Sequence, residues 1–374
     1  MSKILDEHLG YISDTVRLEH FRQAIALSVR PGDIVLDAGC GFAVLGLMCL
    51  EAGAARVYGI DHTDAIEIAR ETAVRAGFGE RYHCIREHSF RAELPEQVDV
   101  IICDHVGYFG FDYGIIDILG DARRRFLKPG GRVIPGRIDL QIAGIASAAA
   151  REKAMAWSAP PIPAAFHWLD EYGINSRHRT TFSADNVLVP AANLGTIDLS
   201  ADSPDHFSFT ADLIATRSGE VDGLGGWFDC ELAMGVRMTN SPLNRGHIDR
   251  KQVFLPFASP LAIKPGDTMR VKLVLRHDVT VITWSARNLS SGEQRRQSTW
   301  RSQILSEADR SDKLDRVPQL GREGKARRIV LDYIDGMRTA QEIEQAVLRD
   351  HPGLFPSADQ VIAFVRGKLA RNMS

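Results

Sequence analysis

Two carboxylates stand close together in the segment CDHVGYFGFDYG, residues 103–114. Asp104 and Asp112 lie there among aromatic residues and glycines, directly after the apolar run 98–102, which predicts a buried strand. In open α/β sheets, the loops at the carboxyl ends of the strands bind ligands. Paired carboxylates can hold a guanidinium bidentately and draw its charge to one side, which leaves another nitrogen more nucleophilic. The segment therefore predicts a site for a cationic nitrogen group.

A glycine-rich turn, VLDAGCGFAVLG, follows an earlier predicted strand that ends at Asp37. Gly39 and Gly41 allow the backbone to turn tightly and to approach a ligand. A dinucleotide fingerprint, G-x-G-x-x-G, would need a third glycine where this sequence has Val44. The pattern is instead similar to the D-x-G-x-G signature of class I methyltransferases. That resemblance implies that the turn contacts the amino acid portion of S-adenosylmethionine, and that Asp61, at the end of the next strand, holds both ribose hydroxyls.

Predicted strands and helices alternate from residue 31 to about residue 140, which favours a parallel, doubly wound, Rossmann-like domain. Residues 1–30 are predicted to be helical, and the family resemblance described below implies that they lie over the cofactor site. Residues 141–305 contain short apolar stretches separated by Gly, Pro and Asp, a pattern typical of an antiparallel β domain, either a barrel or a sandwich. Residues 306–374 are predicted to form a charged linker and a small helical, winged-helix-like accessory domain. The predicted fold class is thus α/β plus all-β.

The bulk composition restricts the possible partners. A chain of 374 residues is expected to form two or three domains. The formal net charge of −3 comes without a basic run, which argues against a nucleic-acid partner. The sequence shows no signal-peptide core and no apolar stretch of membrane-spanning length, so we expect a cytoplasmic protein without a membrane partner. The five cysteines are unclustered, which favours reduced core thiols and no metal site.

Several separate stretches, in the same order along residues 8 to 300, resemble the protein arginine methyltransferase family. They are SDTVRLEHFRQAI, CDHVGYFGFDYG, FLKPGGRVIP, HWLDEYGIN, GGWFDCEL and RKQVFLPFASPLAIKPGD. The resemblance implies a Rossmann domain, a β-barrel and a dimerisation arm inserted at about residues 158–185. It also implies a homodimer and S-adenosylmethionine as the cofactor, with S-adenosylhomocysteine as the product.

The same resemblance suggests which residues contact the cofactor. Arg17, in the N-terminal helix, corresponds to the arginine that pairs with the cofactor carboxylate, and Phe90 stands where the family has an adenine-pairing glutamate. The expected cofactor-binding residues are Arg17, Asp37, Gly39, Gly41, Asp61, His62, His88, Ser89 and Asp104.

The expected catalytic residues follow from the loop and from one barrel motif. Asp104 corresponds to the first of the family's two catalytic glutamates, and Tyr113 corresponds to the second, with Asp112 just before it. The family's Thr-His-Trp motif falls on residues 248–250. The expected catalytic set is Asp104, His105, Asp112, Tyr113, His247 and Asp249.

Some of these residues also have simpler structural interpretations. Asp249 could complete a net-anionic pocket for a cationic substrate, or Arg250 could neutralise it internally. Asp112 could be a solvated or helix-capping acid, and Tyr113 could simply pack. His105 could act as a general base or point away from the site.

The favoured function is S-adenosylmethionine-dependent N-methylation of a guanidine or another basic nitrogen, on a free amino acid, a natural-product intermediate or a peptide. An O-methyltransferase with His105 or His247 as its base is an alternative, as is a catalytically silent dimeric scaffold. The C-terminal phrase LDYIDGMRTAQEIEQAV resembles small PqqD-type modules, which implies peptide binding by strand addition. A structural lid or an oligomer contact is the other interpretation of this unit.

Overall fold

The computed structural model describes residues 3–277, 281–305, 317 and 319–372. These residues form two compact units, Met1–Gln303 and Ile304–Ser374. Within the described ranges, no helix combines the length and the apolar character needed to cross a membrane. The two units are described separately below.

The first unit contains a parallel five-stranded sheet. Its strands are β1 (Ile34–Ala38), β2 (Arg56–Ile60), β3 (Tyr82–Ile85), β4 (Val98–Ile102) and β5 (Leu127–Ile134). Their order in the sheet is β3-β2-β1-β4-β5, and every pair is parallel. The chain therefore runs outward from β1 to β3 and then returns to place β4 on the other side of β1. Such a switch point leaves a crevice at the carboxyl ends of β1 and β4, where ligands bind in sheets of this kind.

Helices connect and cover these strands. They are α1 (Lys3–Ser13), α2 (Thr15–Ser28), α3 (Val44–Glu51), α4 (Ala65–Arg75) and α5 (Ile115–Phe126). The predicted N-terminal helical segment consists of the first two of these helices, because Asp14 interrupts it as a helix cap. The Asp14 side chain accepts the Arg17 N–H at 3.0 Å, which satisfies one of the free donors of the first turn of α2.

The rest of the first unit is mostly antiparallel. Its elements are β6 (Arg137–Ile145), α6 (Ala148–Ala154), α7 (Asp170–Ile174), β7 (His178–Thr180), β8 (Val187–Asp198), β9 (Phe207–Ile214), β10 (Gly219–Ala233), β11 (Val236–Thr239), β12 (Gln252–Ile263), β13 (Thr268–Arg276), β14 (Val281–Asn288) and β15 (Gln294–Ser298). One sheet has the order β7-β12-β10-β6-β8, with β11 beside β10, and the other has the order β15-β14-β13-β9. These two antiparallel sheets occupy the region that was predicted to be a barrel.

One predicted boundary needs correction. The sequence analysis ended the Rossmann-like domain at about residue 140, but β6 begins at Arg137 and pairs with β10 and β8 along its whole length. The reason is that the apolar residues of β6 complete the antiparallel sheet, with Ile138, Leu140 and Ile142 fully buried. The antiparallel region therefore begins before residue 140.

The segment between α6 and β8 covers the predicted dimerisation arm. It contains three short 3₁₀-helices, at Ala156–Ser158, Ala164–Leu169 and Ala184–Asn186, together with α7 and β7. Trp157, Phe166 and Trp168 are 44%, 48% and 61% exposed there, which is unusual for large apolar side chains. The chain then returns to the sheet, because β7 pairs with β12.

The second unit contains three helices: α8 (Arg322–Asp332), α9 (Ala340–Asp350) and α10 (Ala358–Asn372). Thr339 and Glu342 form the predicted capping box at the start of α9. Apolar residues from all three helices make a small core: Val330, Ile343, Val347, Val361, Val365 and Leu369. Residues 317 and 319–372 contain no strand, so this part of the unit offers no sheet edge for the predicted strand addition. The predicted linker lies largely outside the described residues.

Candidate active site

The glycine-rich turn lies at the carboxyl end of β1, as predicted. Gly39 and Gly41 have φ values of +72° and +52°, which only glycine adopts at low cost. The N–H groups of Gly39 and Cys40 donate to the Ile60 carbonyl at 2.9 and 3.0 Å, so the turn is tied to the end of β2. A Cβ on Gly39 would collide with the ring of His105. The turn therefore requires glycine at both positions and is closely covered.

Asp37 supports this turn from below instead of facing a ligand. The side chain is buried, and its Oδ2 accepts the Gly46 N–H at 2.9 Å and the Tyr82 hydroxyl at 3.1 Å. A Cβ on residue 46 would lie 2.9 Å from the same oxygen, so glycine is required there. Burial raises the pKa of Asp37 to about 7. The Asp37 carboxyl thus connects β1 with α3 and with β3.

Asp61 follows β2 and lies beside the turn. Its Oδ2 accepts the Gly41 N–H at 3.0 Å, and its Oδ1 accepts the N–H and the hydroxyl of Thr63 at 2.8 and 2.7 Å. The carboxylate is only partly buried. A carboxylate has about four lone-pair sites, so hydrogen bonds to a ligand hydroxyl can still be added. The position agrees with the expected role of holding a ribose.

A row of rings continues from Asp61. The His62 and His88 ring centroids lie 5.5 Å apart, and those of His88 and Phe90 lie 5.3 Å apart. The side chains of His62 and Phe90 are exposed, which leaves ring surface for a flat base such as adenine. Ser89 lies in the same row, and its carbonyl accepts a bond from Arg125 at 3.2 Å. The structure therefore brings together all three residues predicted for this side of the cofactor.

His8 is a site residue that the sequence analysis missed. Its ring stacks on Phe42 with a centroid distance of 4.0 Å, and a Cβ on Gly41 would collide with it. Burial lowers the pKa of His8, which favours the neutral imidazole. His8 and Tyr11 are one helical turn apart in α1, so both can face the site. The three-residue spacing between His8 and Tyr11 is the feature of the sequence that could have identified His8 as a site residue.

Asp104 lies just past β4 and binds two arginines of the chain itself. Its Oδ2 accepts the Arg17 Nε–H at 2.6 Å and a second bond from Arg17 Nη2, while Arg250 Nη2 lies 3.7 Å away. The side chains of Asp104, Arg17 and Arg250 are only 10%, 7% and 6% exposed. Arg250 also donates to the Val106 carbonyl. The sequence analysis considered Arg250 as a partner for Asp249. In the structure, Arg250 instead neutralises Asp104.

The other oxygen of Asp104 has no partner. Asp104 Oδ1 is buried, and no hydrogen bond reaches it from the described residues. A buried acceptor without a donor costs about 1–3 kcal/mol, so such atoms in native proteins call for an explanation. A ligand N–H donor would satisfy this oxygen.

Asp112 is also paired internally. Its Oδ1 accepts a bond from Arg177 Nη1 at 2.8 Å, and its Oδ2 accepts the Phe109 N–H at 2.5 Å. The Asp112 side chain is only 6% exposed. The interpretation as a solvated acid is therefore wrong, and the Phe109 bond shows that Asp112 shapes its own loop.

Tyrosines line the loop between the two acids. The Tyr108 and Tyr113 ring centroids lie 5.6 Å apart at a steep angle, and the Arg179 guanidinium lies 4.6 Å from the Tyr108 ring centroid. Arg17 and Arg250 each lie within 6 Å of the Tyr11 ring, at 5.5 and 5.6 Å. The loop thus forms an acceptor side made of aromatic rings and guanidinium groups.

Three of the predicted catalytic residues that the structure describes, His105, His247 and Asp249, do not pair with the loop acids. The ring of His105 covers Gly39, with Nδ1 3.4 Å from Cys103 Sγ, and burial lowers its pKa. His247 and Asp249 are exposed. In the described part of the chain, neither forms a hydrogen bond or an ion pair with Asp104 or Asp112. The structure therefore corrects the expected net-anionic pocket, because Asp249 points to solvent and both loop acids have arginine partners.

The residues around the crevice fit S-adenosylmethionine. Rings for a base, the Asp61 carboxylate and a positive-φ turn follow one another along the ends of β1 and β2, next to Arg17. When bound, the cofactor supplies an electrophilic methyl group on a sulfonium. No group of three or more His, Cys, Asp or Glu side chains among the described residues is suited to hold a metal ion.

Comparisons with known proteins agree with this assignment. A family model described as "Ribosomal protein L11 methyltransferase (PrmA)" matches residues 18–157. Protein arginine N-methyltransferase 1 of Schizosaccharomyces pombe is 27% identical over 281 residues, which are 70% of this chain and 79% of that protein. Probable protein arginine N-methyltransferase 6 of Arabidopsis thaliana is 35% identical over 140 residues, which are 37% of this chain and 32% of that protein.

Solved structures share the fold. Protein arginine methyltransferase 10 of Arabidopsis thaliana aligns with a TM-score of 0.69 at 22% identity, over 79% of this chain and 98% of that one. The PRMT1 enzyme-prozyme heterotetrameric complex of Trypanosoma brucei with AdoHcy aligns with a TM-score of 0.69 at 20% identity, over 78% of this chain and 96% of that one. The chain is therefore similar in sequence and in fold to protein arginine N-methyltransferases, and this similarity supports an S-adenosylmethionine-dependent methyltransferase.

Proposed function

We propose that this enzyme methylates a basic nitrogen, of the guanidine or amine type, on a free amino acid, a natural-product intermediate or a peptide. The observation that carries the proposal is the buried, unpartnered Oδ1 of Asp104, at the carboxyl end of β4. A substrate N–H would satisfy this oxygen, and the carboxylate would orient the nitrogen toward the methyl donor. The arginine N-methyltransferases similar to this chain support a nitrogen acceptor.

Arg17 gives the proposal a specific geometry. Both of its bonds to Asp104 go to Oδ2, so Oδ1 can accept a substrate donor without displacing Arg17. If Arg17 also binds the cofactor carboxylate, as the resemblance implies, it can position Asp104 relative to the bound cofactor.

The test is mass spectrometry of candidate acceptors after incubation with isotope-labelled S-adenosylmethionine. We expect an N-methylated product with the wild-type enzyme, and a turnover on the order of 100-fold lower for Asp104→Asn, because the variant loses the charged acceptor. Glu96→Gln, an acid on the protein surface that pairs with Arg56, is the matched control. An O-methylated product, or cofactor binding without any turnover, would contradict the proposal and would indicate one of the two alternatives.

We also propose that the enzyme is a homodimer through the arm. The exposed Trp157, Phe166 and Trp168 support this proposal, because such side chains are usually covered. Light scattering should give the mass of two chains for the wild type, and Trp168→Ser should shift the equilibrium toward one chain. A wild-type monomer at micromolar concentration would contradict it.

A further inference from the structure

The acceptor side carries more positive than negative charge in its immediate contacts. Asp104 is in contact with both Arg17 and Arg250, and Asp112 is bonded to Arg177. Two buried carboxylates are thus matched by three guanidinium groups. Among the buried side-chain oxygens of the two loop acids, Asp104 Oδ1 is the acceptor that a positively charged substrate would find without a partner in the described part of the chain.

A fourth guanidinium stands next to this group without a carboxylate. Arg179, in β7, is exposed and lies 4.6 Å from the centroid of the Tyr108 ring. Among the described residues, no Asp or Glu side chain forms an ion pair with it. Arg177 lies just before β7 and binds Asp112, whereas Arg179 lies over the Tyr108 ring, so both side chains contact the acceptor loop. The stacked arrangement holds the Arg179 side chain over the loop while its N–H donors stay free for a ligand.

Tyr108 connects Arg179 with Asp104. Tyr108 follows Asp104 by four residues in the loop, and its ring packs edge-on against Tyr113. Burial raises the pKa of Tyr113, so its hydroxyl remains a hydrogen-bond donor at neutral pH. A hydroxyl and a guanidinium can both donate to a carboxylate, and the charge of the guanidinium repels an ammonium.

We propose that the methyl acceptor is zwitterionic: Asp104 holds its basic nitrogen, and Arg179 binds a carboxylate of the same molecule. This inference rests on the proposed function, since it assumes a nitrogen acceptor at Asp104. It narrows the substrate class to amino acids and to peptides with a free carboxylate near the methylated nitrogen. A bidentate contact between Arg179 and the carboxylate accounts for the selection.

The experiment compares acceptors that differ only by the carboxylate. Suitable pairs are arginine and agmatine, lysine and cadaverine, ornithine and putrescine, and a short peptide as its free acid and its amide. Each is assayed for methylation with labelled cofactor and for binding to the enzyme saturated with S-adenosylhomocysteine. In every pair that reacts, we expect a KM at least about tenfold lower for the acid-bearing member, because the other member lacks one charged hydrogen bond to the enzyme.

Variants of Arg179 separate binding of a carboxylate from simple coverage of Tyr108. Arg179→Gln keeps a flat polar group over the ring but removes the charge, and it should reduce the preference within each pair to less than threefold. Arg179→Lys keeps the charge without the bidentate geometry and should retain part of the preference. Arg287→Gln, at an exposed arginine of β14, is the matched control and should leave the preference unchanged.

Each outcome has one meaning. A preference that persists in Arg179→Gln, or equal use of both members of a pair, overturns the inference and leaves the proposed N-methylation intact. Absence of any N-methylated product from all pairs, or an O-methylated product, overturns the proposed function and the inference with it.

Discussion

The cofactor half and the acceptor half of the crevice are built in different ways. The cofactor half consists mainly of residues at the ends of successive strands: the turn after β1, Asp61 after β2 and the row of rings that follows β2 and β3. Its hydrogen bonds are mostly between backbone groups and nearby side chains. In the acceptor half, the two loop acids bind arginines from α2, from the segment before β7 and from the segment before β12. A local motif therefore makes one half, and long-range ion pairs make the other.

The largest effect on stability should come from the acceptor half. Asp104→Ala leaves Arg17 and Arg250 buried without their carboxylate, so we expect the free energy of unfolding to fall by about 3–5 kcal/mol. Asp112→Ala should cost less, about 1–3 kcal/mol, because Arg177 is 32% exposed and can reach water. Urea denaturation of both variants measures the difference. Equal losses would show that the two carboxylates contribute equally to stability, in spite of the different exposure of their arginine partners.

Asp37 predicts a pH effect in the cofactor half. Its pKa is about 7 in the folded protein, whereas an unfolded aspartate titrates near 4. Between these values the folded state binds a proton that the unfolded state does not, so stability falls as pH rises. The three-unit difference corresponds to about 4 kcal/mol at most. We expect wild type to lose stability relative to Asp37→Asn between pH 4 and pH 8, measured by urea denaturation without cofactor.

The control for this measurement is Asp64→Asn, at an acid whose side chain is 83% exposed. Its pH profile should run parallel to that of the wild type. Parallel profiles for Asp37→Asn as well would mean that the buried carboxyl does not hold its proton at neutral pH.

Asp61 tests whether the cofactor half binds its ligand as assigned. Asp61→Ala removes the acceptor for a ribose and also frees the Gly41 N–H, so we expect affinity for S-adenosylhomocysteine to fall on the order of 100-fold. Calorimetric titration gives the dissociation constant, and Asp64→Ala serves as the control. A change of less than threefold in the dissociation constant would show that Asp61 does not hold the ribose.

The smallest effect should come from the two predicted catalytic residues that lie outside both halves. His247→Ala and Asp249→Asn alter exposed side chains, so stability should change by no more than about 0.5 kcal/mol and turnover should stay at the wild-type level. A strong loss of turnover in either variant would show that the substituted residue takes part in catalysis.

The contrast between the halves also explains what the sequence could predict. The alternation of elements, the turn after β1 and the acids after β2 and β4 depend on local patterns, and the structure has them where the sequence placed them. The strands β3, β8 and β15 were among those not predicted, because YHCI is short, VLVPAANLGTID lacks a regular apolar alternation and QRRQS has no apolar residue. The place of β8 and β15 in the sheets comes from pairing with other strands of the antiparallel region.

The partners of the loop acids were out of reach for the same reason. Arg17 and Asp104 are separated by 87 positions, and nothing in either neighbourhood indicates the other. Arg250 was considered as a partner for Asp249, its neighbour in sequence, but its side chain turns into the protein toward Val106 and Asp104. Only the packing of the antiparallel region against the loop decides that direction.

The acceptor loop also depends on the antiparallel sheets for its shape. Arg250 donates to the carbonyl of Val106, and Asn240 donates to the carbonyl of Tyr108 at 2.8 Å. The Phe109 ring packs so closely on β10 that a Cβ on Gly226 would lie 2.6 Å from it. A shortened chain that stops before β6 would keep the sequence of a methyl-donor domain but would lack the scaffold that shapes its own reaction loop. The reaction loop of this chain therefore takes its shape from residues of the antiparallel region and not from the parallel sheet alone.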